Sequence, residues 1–93
     1  MSALKLIYAK LLEGESFGTV EPHRQGGTFF WDVLSADNTY IYWRHYGQSA
    51  NKTSLQNLKW IIREIFRMTP EEFLYTYMTY SKYKEINKYY KGA

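Results

Sequence analysis

The sequence predicts a small α+β domain: a three-stranded antiparallel sheet packed on one helix, with an additional C-terminal helical segment. Three observations carry this expectation. Two runs rich in aromatic and β-branched residues, 28–34 and 39–46, flank the polar stretch Ser35, Ala36, Asp37, Asn38, as in a β-hairpin. Next, Leu55, Leu58, Ile62, Ile65 and Phe66 recur at helical spacing, and Thr53 stands three places before Gln56 as a capping box requires. Finally, Thr69 followed by Pro70, Glu71 and Glu72 combines a cap, a first-turn proline and a reciprocal glutamate, with Met68 and Phe73 placed to form a hydrophobic staple.

Residues 2–13 place Leu4, Ile7, Tyr8, Leu11 and Leu12 on one helical face, with Ser2 as a cap and Gly14 where a helix ends. A strand reading through Leu4, Leu6 and Tyr8 breaks its alternation at Lys10, so helix is expected. From 15 to 27 the chain is punctuated by Gly18, Pro22, Gly26 and Gly27. Phe17, Thr19 and Val20 can form a short strand there, and the rest reads as the longest loop, carrying Glu21, His23, Arg24 and Gln25.

A hairpin loop of Ala36, Asp37 and Asn38 pairs Val33 with Ile41, Trp31 with Trp43 and Phe29 with His45 on an apolar face. The other face then holds Phe30, Asp32 and Leu34 beside Tyr40, Tyr42 and Arg44, because side chains alternate along a strand. A polar connector at 48–52 leads to a helix expected from about Ser54 to Arg67, where Trp60 and Ile61 widen the apolar stripe enough to meet a second helix. In the helix starting at Pro70, Phe73, Leu74, Tyr77 and Met78 share a face. Tyr83, Ile86 and Tyr90 fall on another, which predicts a break near Thr79, Tyr80 and Ser81, with Ser81 capping a last short helix. The basic end, 81–93, mixes lysines with tyrosines and is expected to fray.

Ninety-three residues suffice for a single compact domain, 1–93, and the 45% hydrophobic and 23% charged composition is that of a globular chain. No run reaches membrane-spanning length and residues 1–13 lack a signal-peptide pattern, so the expected address is the cytoplasm, with no membrane partner. The absence of cysteine removes disulfides, thiol nucleophiles and thiolate metal sites. Charge is unevenly spread: residues 1–50 hold four cations against five acids, and residues 51–93 hold eight against four, making up the net +3. The helical half is the basic half.

Catalytic signals are thin. His23 and His45 form no spaced ligand pair, and there is no GxSxG, GxxxxGK or GxGxxG element, so no catalytic residue, metal or cofactor is expected. Ten tyrosines, five phenylalanines and three tryptophans exceed what a core of this size must bury, which places several rings at the surface. Aromatic rings among cations suit nucleic acid, since rings stack on bases while lysine and arginine neutralise phosphates. The candidates for phosphate contact are Arg44, Lys52, Lys59, Arg63, Lys82, Lys84 and Lys88, and those for stacking are Tyr40 and Tyr42. The expectation is a small non-catalytic protein binding DNA or RNA. The rival is a protein partner, with the chain a small regulator or inhibitor using the same aromatic face.

With residues 2–13 helical, the order helix, three strands, helix is similar to the double-stranded-RNA-binding fold, with Pro22-His23 before the Phe29 strand and Lys52 before the helix in comparable places. That family's paired lysines are reduced here to Lys52, its alanine-rich second helix is replaced by Leu58, Trp60, Ile61 and Ile62, and residues 68–93 have no counterpart in it.

Overall fold

Ser2 and Gly14 bound the first helix, as their chemistry dictates. In a computed structural model of the chain, which describes residues 2–45 and 49–91 and side chains through 88, helix α1 is Ala3–Leu12. The Ser2 hydroxyl accepts from the Lys5 amide at 3.2 Å. Gly14 takes φ +96°, a left-handed turn that only a residue without Cβ adopts freely. Tyr46 of the second predicted strand, and the side chains of Tyr89, Tyr90 and Lys91 in the basic end, lie outside the described residues.

Five strands follow: β1 (Phe17–Pro22), β2 (Thr28–Ala36), β3 (Tyr40–Trp43), β4 (Asn51–Ser54) and, much later, β5 (Met78–Thr79). They form one antiparallel sheet in the order β4-β3-β2-β1-β5. The predicted three strands are therefore its centre, with a strand added at each edge. The long loop expected over 15–27 shrinks to residues 23–27, because β1 extends through Pro22.

The expected hairpin register is corrected. Leu34 pairs with Trp43, Ser35 with Tyr42 and Ala36 with Ile41, and the loop is Asp37, Asn38 and Thr39. A bulge causes part of the change. Phe17 faces Leu34 but Thr19 faces Trp31, so Gly18 opposes both Asp32 and Val33, and Asp32 sits at φ +53°. One extra residue inverts the side-chain alternation beyond it, which turns Leu34 into the core and Val33 away from it. Phe29, Trp31, Ile41 and Trp43 keep the face predicted for them.

Of the helix expected from about Ser54 to Arg67, residues 55–65 are helical, but the stretch is neither capped nor regular as expected. Thr53 and Ser54 are held in β4 by pairing with Ile41 and Tyr40, so the capping box does not form; instead the Thr53 hydroxyl accepts from the Asn57 side chain at 3.0 Å. The chain enters through a 3-10 turn (Leu55–Asn57), passes through α2 (Leu58–Trp60) and ends in a π turn (Ile61–Ile65). Arg67, at φ +60°, reverses the chain.

The Thr69 start is as predicted: Thr69 and Glu72 exchange both capping-box hydrogen bonds at the head of α3 (Pro70–Thr76). The expected break near Thr79, Tyr80 and Ser81 is present, running from Tyr77 through β5 and so beginning slightly earlier. Thr79, not Ser81, then caps α4 (Tyr80–Lys91), its hydroxyl accepting from the Lys82 amide at 3.3 Å, and α4 is twelve residues long rather than short.

The two sheet faces have different cover. On the inner face Phe17, Leu34 and Ile41 join Ile7 and Leu11 of α1, Leu58, Ile61 and Ile62 of the irregular helix, and Phe73 of α3 in one core. Phe73 stacks on Tyr77 with centroids 4.4 Å apart. Each such side chain removed from water contributes about 1.5–3 kcal/mol. On the outer face the described part of α4 packs on the β1–β2 side: Phe30 packs on Tyr80 and Tyr83, and the Tyr83 hydroxyl donates to the Thr28 carbonyl at 3.0 Å. β4 and α4 have no counterpart in the helix, three strands, helix order of the double-stranded-RNA-binding fold.

Candidate functional site

Among the described residues nothing packs over the outer face of β3 and β4, and the rings and several of the charges singled out in the sequence meet there. Alternation sends Tyr40 and Tyr42 outward because Ile41 and Trp43 point into the core, and Tyr42 pairs with Lys52 across the β3–β4 ladder. The two tyrosine rings stand 6.3 Å apart, and the Lys52 ammonium lies 4.4 Å from the centre of the Tyr40 ring. At an exposed position such a cation–π contact contributes only about 0.5–1 kcal/mol, so an incoming ring can displace it. Arg44 is exposed on the same face, where it borders a shallow depression with Val33, Ser35 and Tyr42.

Asp37 organises this cluster. Its carboxylate accepts from the Thr39 and Tyr40 amides at 2.8 and 2.7 Å, closing the hairpin loop, and from the Tyr42 hydroxyl at 2.5 Å. These hydrogen bonds, the one from Tyr42 first, hold the Asp37 carboxyl below the usual carboxylate range. The same bond pushes the Tyr42 phenol above its ordinary value. The Tyr42 ring is thereby fixed in orientation with its hydroxyl neutral.

The remaining candidates divide into two groups. Lys82, Lys84 and Lys88 lie exposed on α4, which rests on the same outer face. Lys82 pairs with Glu85 at 3.9 Å, and the Lys84 ammonium sits 5.3 Å from the Tyr80 ring centre. Lys59 and Arg63 belong to the helical layer behind the sheet, and Arg63 is engaged by Glu64 at 3.0 Å. Lys59 and Arg63 are thus not brought together with the other seven candidates.

Sequence reasoning missed Asp37 as the residue that orients Tyr42, although an aspartate at a hairpin corner is itself a signal for the turn. Among the described residues no three His, Asp or Glu side chains are placed to hold a metal ion, and no helix is long and apolar enough to cross a membrane. Compared with protein-family models, curated proteins and solved structures, the chain has no match.

Proposed function

We propose that the chain is a small non-catalytic nucleic-acid-binding protein that grips single-stranded DNA or RNA on the open half of its sheet. The observation that carries this reading is the uncovered outer face of β3 and β4, where Tyr40 and Tyr42 stand beside Lys52 and Arg44. Unpaired bases have exposed π faces, and stacking on an aromatic side chain contributes about 1–3 kcal/mol per base. The two rings, inclined at 65° to each other, each offer a face for a base, and the cations beside them neutralise the flanking phosphates. The lysines of α4 extend the positive charge along the same face. Duplexes keep their bases stacked inside and offer such rings nothing to pair with.

The test is fluorescence anisotropy with labelled single- and double-stranded DNA and RNA at about 50 and 200 mM salt, the range over which phosphate contacts lose most of their affinity. Single strands are expected to bind more tightly than duplexes, and Tyr40→Ala with Tyr42→Ala to weaken them by about tenfold or more, the loss of one or two stacked bases. No binding at the lower salt overturns the reading and turns attention to a protein partner for the same aromatic face.

A further inference from the structure

A second concavity lies behind the sheet, where β3 ends and the irregular helix unwinds. Its volume is about 500 Å³, within the roughly 300–1,000 Å³ range of small-molecule sites. Trp43, Ile65 and Phe66 form an apolar wall, and Asn51, Glu64 and Arg67 bring polar groups to it. His45 lines it as well, its ring 4.9 Å from that of Phe66.

The backbone around it is unusual in two ways. The Phe66 amide donates to the Ile61 carbonyl at 3.1 Å, closing the π turn, and π turns recur at functional sites. Arg67 follows at φ +60°, after which the Met68 amide reaches the Ile62 carbonyl at 3.1 Å. Glycine would hold that left-handed position without steric cost, so an arginine there trades backbone ease for a guanidinium beside the depression. The same turn ends the helix and sets Arg67 on the rim of the depression.

We infer that this depression takes one nucleobase bearing an exocyclic amino group, together with its 5′-phosphate. The inference rests on the nucleic-acid reading given above. The aromatic wall suits the apolar faces of a base. The Asn51 amide donates one N–H to the Ser49 carbonyl at 3.0 Å and keeps its second N–H and its oxygen. The Glu64 carboxylate, held by Arg63 through one oxygen, keeps the other as an acceptor, so together they match an amino-bearing edge. Arg67 supplies a fork of donors for phosphate. Trp43 also borders the shallow depression on the outer face near Tyr42 and Arg44, so the two concavities adjoin at the end of β3. The base is either splayed from a bound strand or carried by a free nucleotide.

The test uses the whole, isotopically labelled protein and the indole N–H resonances of Trp31, Trp43 and Trp60, assigned by single Trp→Phe variants. AMP is expected to shift the Trp43 signal with a Kd on the order of 1 mM or tighter and to leave Trp31 and Trp60 in place. UMP, which lacks the amino group, and the Arg67→Gly variant are each expected to weaken the effect by about tenfold, the cost of losing one charged hydrogen bond. Arg67→Gly suits the local backbone, so its spectrum otherwise reports an intact fold. A Trp43 signal that ignores AMP, responds equally to inorganic phosphate, or responds as well to UMP overturns the inference. Oligonucleotide binding with a silent Trp43 removes this site and leaves the open face standing. AMP binding without oligonucleotide binding removes the open-face reading and identifies a free-nucleotide site.

Discussion

Asp37 and Tyr42 show how one hydrogen bond ties hairpin closure to the exposed face. Asp37 has its carboxyl lowered, so its stabilising contribution is complete above the ordinary carboxylate pKa and is lost as pH falls through the depressed value. Tyr42 has its phenol raised, so its contribution is complete below the ordinary phenol pKa, about 10, and is lost as pH rises through the raised value. The hairpin corner should therefore loosen in acid below the carboxylate range and in alkali above that of tyrosine, and hold firm between. Tyr42→Phe removes the donor. In that variant the Asp37 carboxyl, followed by its NMR titration, should move back up toward the ordinary value, and the alkaline loss attributed to Tyr42 should vanish. An unchanged Asp37 titration would mean that the two backbone amides alone set its acidity. The aspartate at the corner can be read from the sequence. The reach of Tyr42 back to it depends on register, which local spacing alone did not supply.

At the scale of elements, what could be read was set by how local the signal is. Helix α1 and the start of α3 rest on caps and periodicity within a few residues, and both stand as expected. Strand β4 rests on pairing with β3 and has the sequence Asn51, Lys52, Thr53, Ser54, polar throughout because it lies at an edge, so no apolar alternation marked it. The β2 bulge is similar: Asp32 gives no warning that one extra residue will turn Leu34 inward. Gly18 sits opposite that bulge, and its role emerges only in three dimensions. A Cβ there would stand 2.6 Å from the Phe30 ring, which α4 pins through Tyr80 and Tyr83. Gly18→Ala must push the ring against α4, so it is expected to cost about 1–3 kcal/mol, the usual penalty of overpacking. Hydrogen exchange should locate the damage in α4 and β1, and the added change Phe30→Leu should recover part of the loss. Protection lost evenly across α1 and α3 instead would contradict this view of Gly18 as the seat of α4.

For the molecule as a whole, the sheet divides the basic half of the chain into two surfaces that the sequence could not separate. Lys82, Lys84 and Lys88 stand on α4 on the outer face, whereas Lys59 and Arg63 ride the helical layer that buries Leu58, Ile61 and Ile62 on the inner face. Helical spacing placed each residue on its own helix surface, but which helix covers which face follows from the crossing at β5, a two-residue strand with no pattern to read. The division makes the proposed function sharper than charge alone could. Each phosphate neutralised by a cation adds about −0.7 to the slope of log affinity against log salt for a single strand. Replacing Lys82, Lys84 and Lys88 with glutamine should therefore flatten the slope for single-stranded nucleic acid by up to about 2 and weaken binding at low salt. Lys59→Gln with Arg63→Gln lowers the formal charge by two of those same units, yet should flatten the slope far less, because neither side chain lies on the face that carries Tyr40, Tyr42 and Lys52. Equal flattening per charge in both variants would mean that net charge, not the open face, holds the nucleic acid. An effect confined to Lys59 and Arg63 would place the main track of the strand on the helical layer instead of the open face.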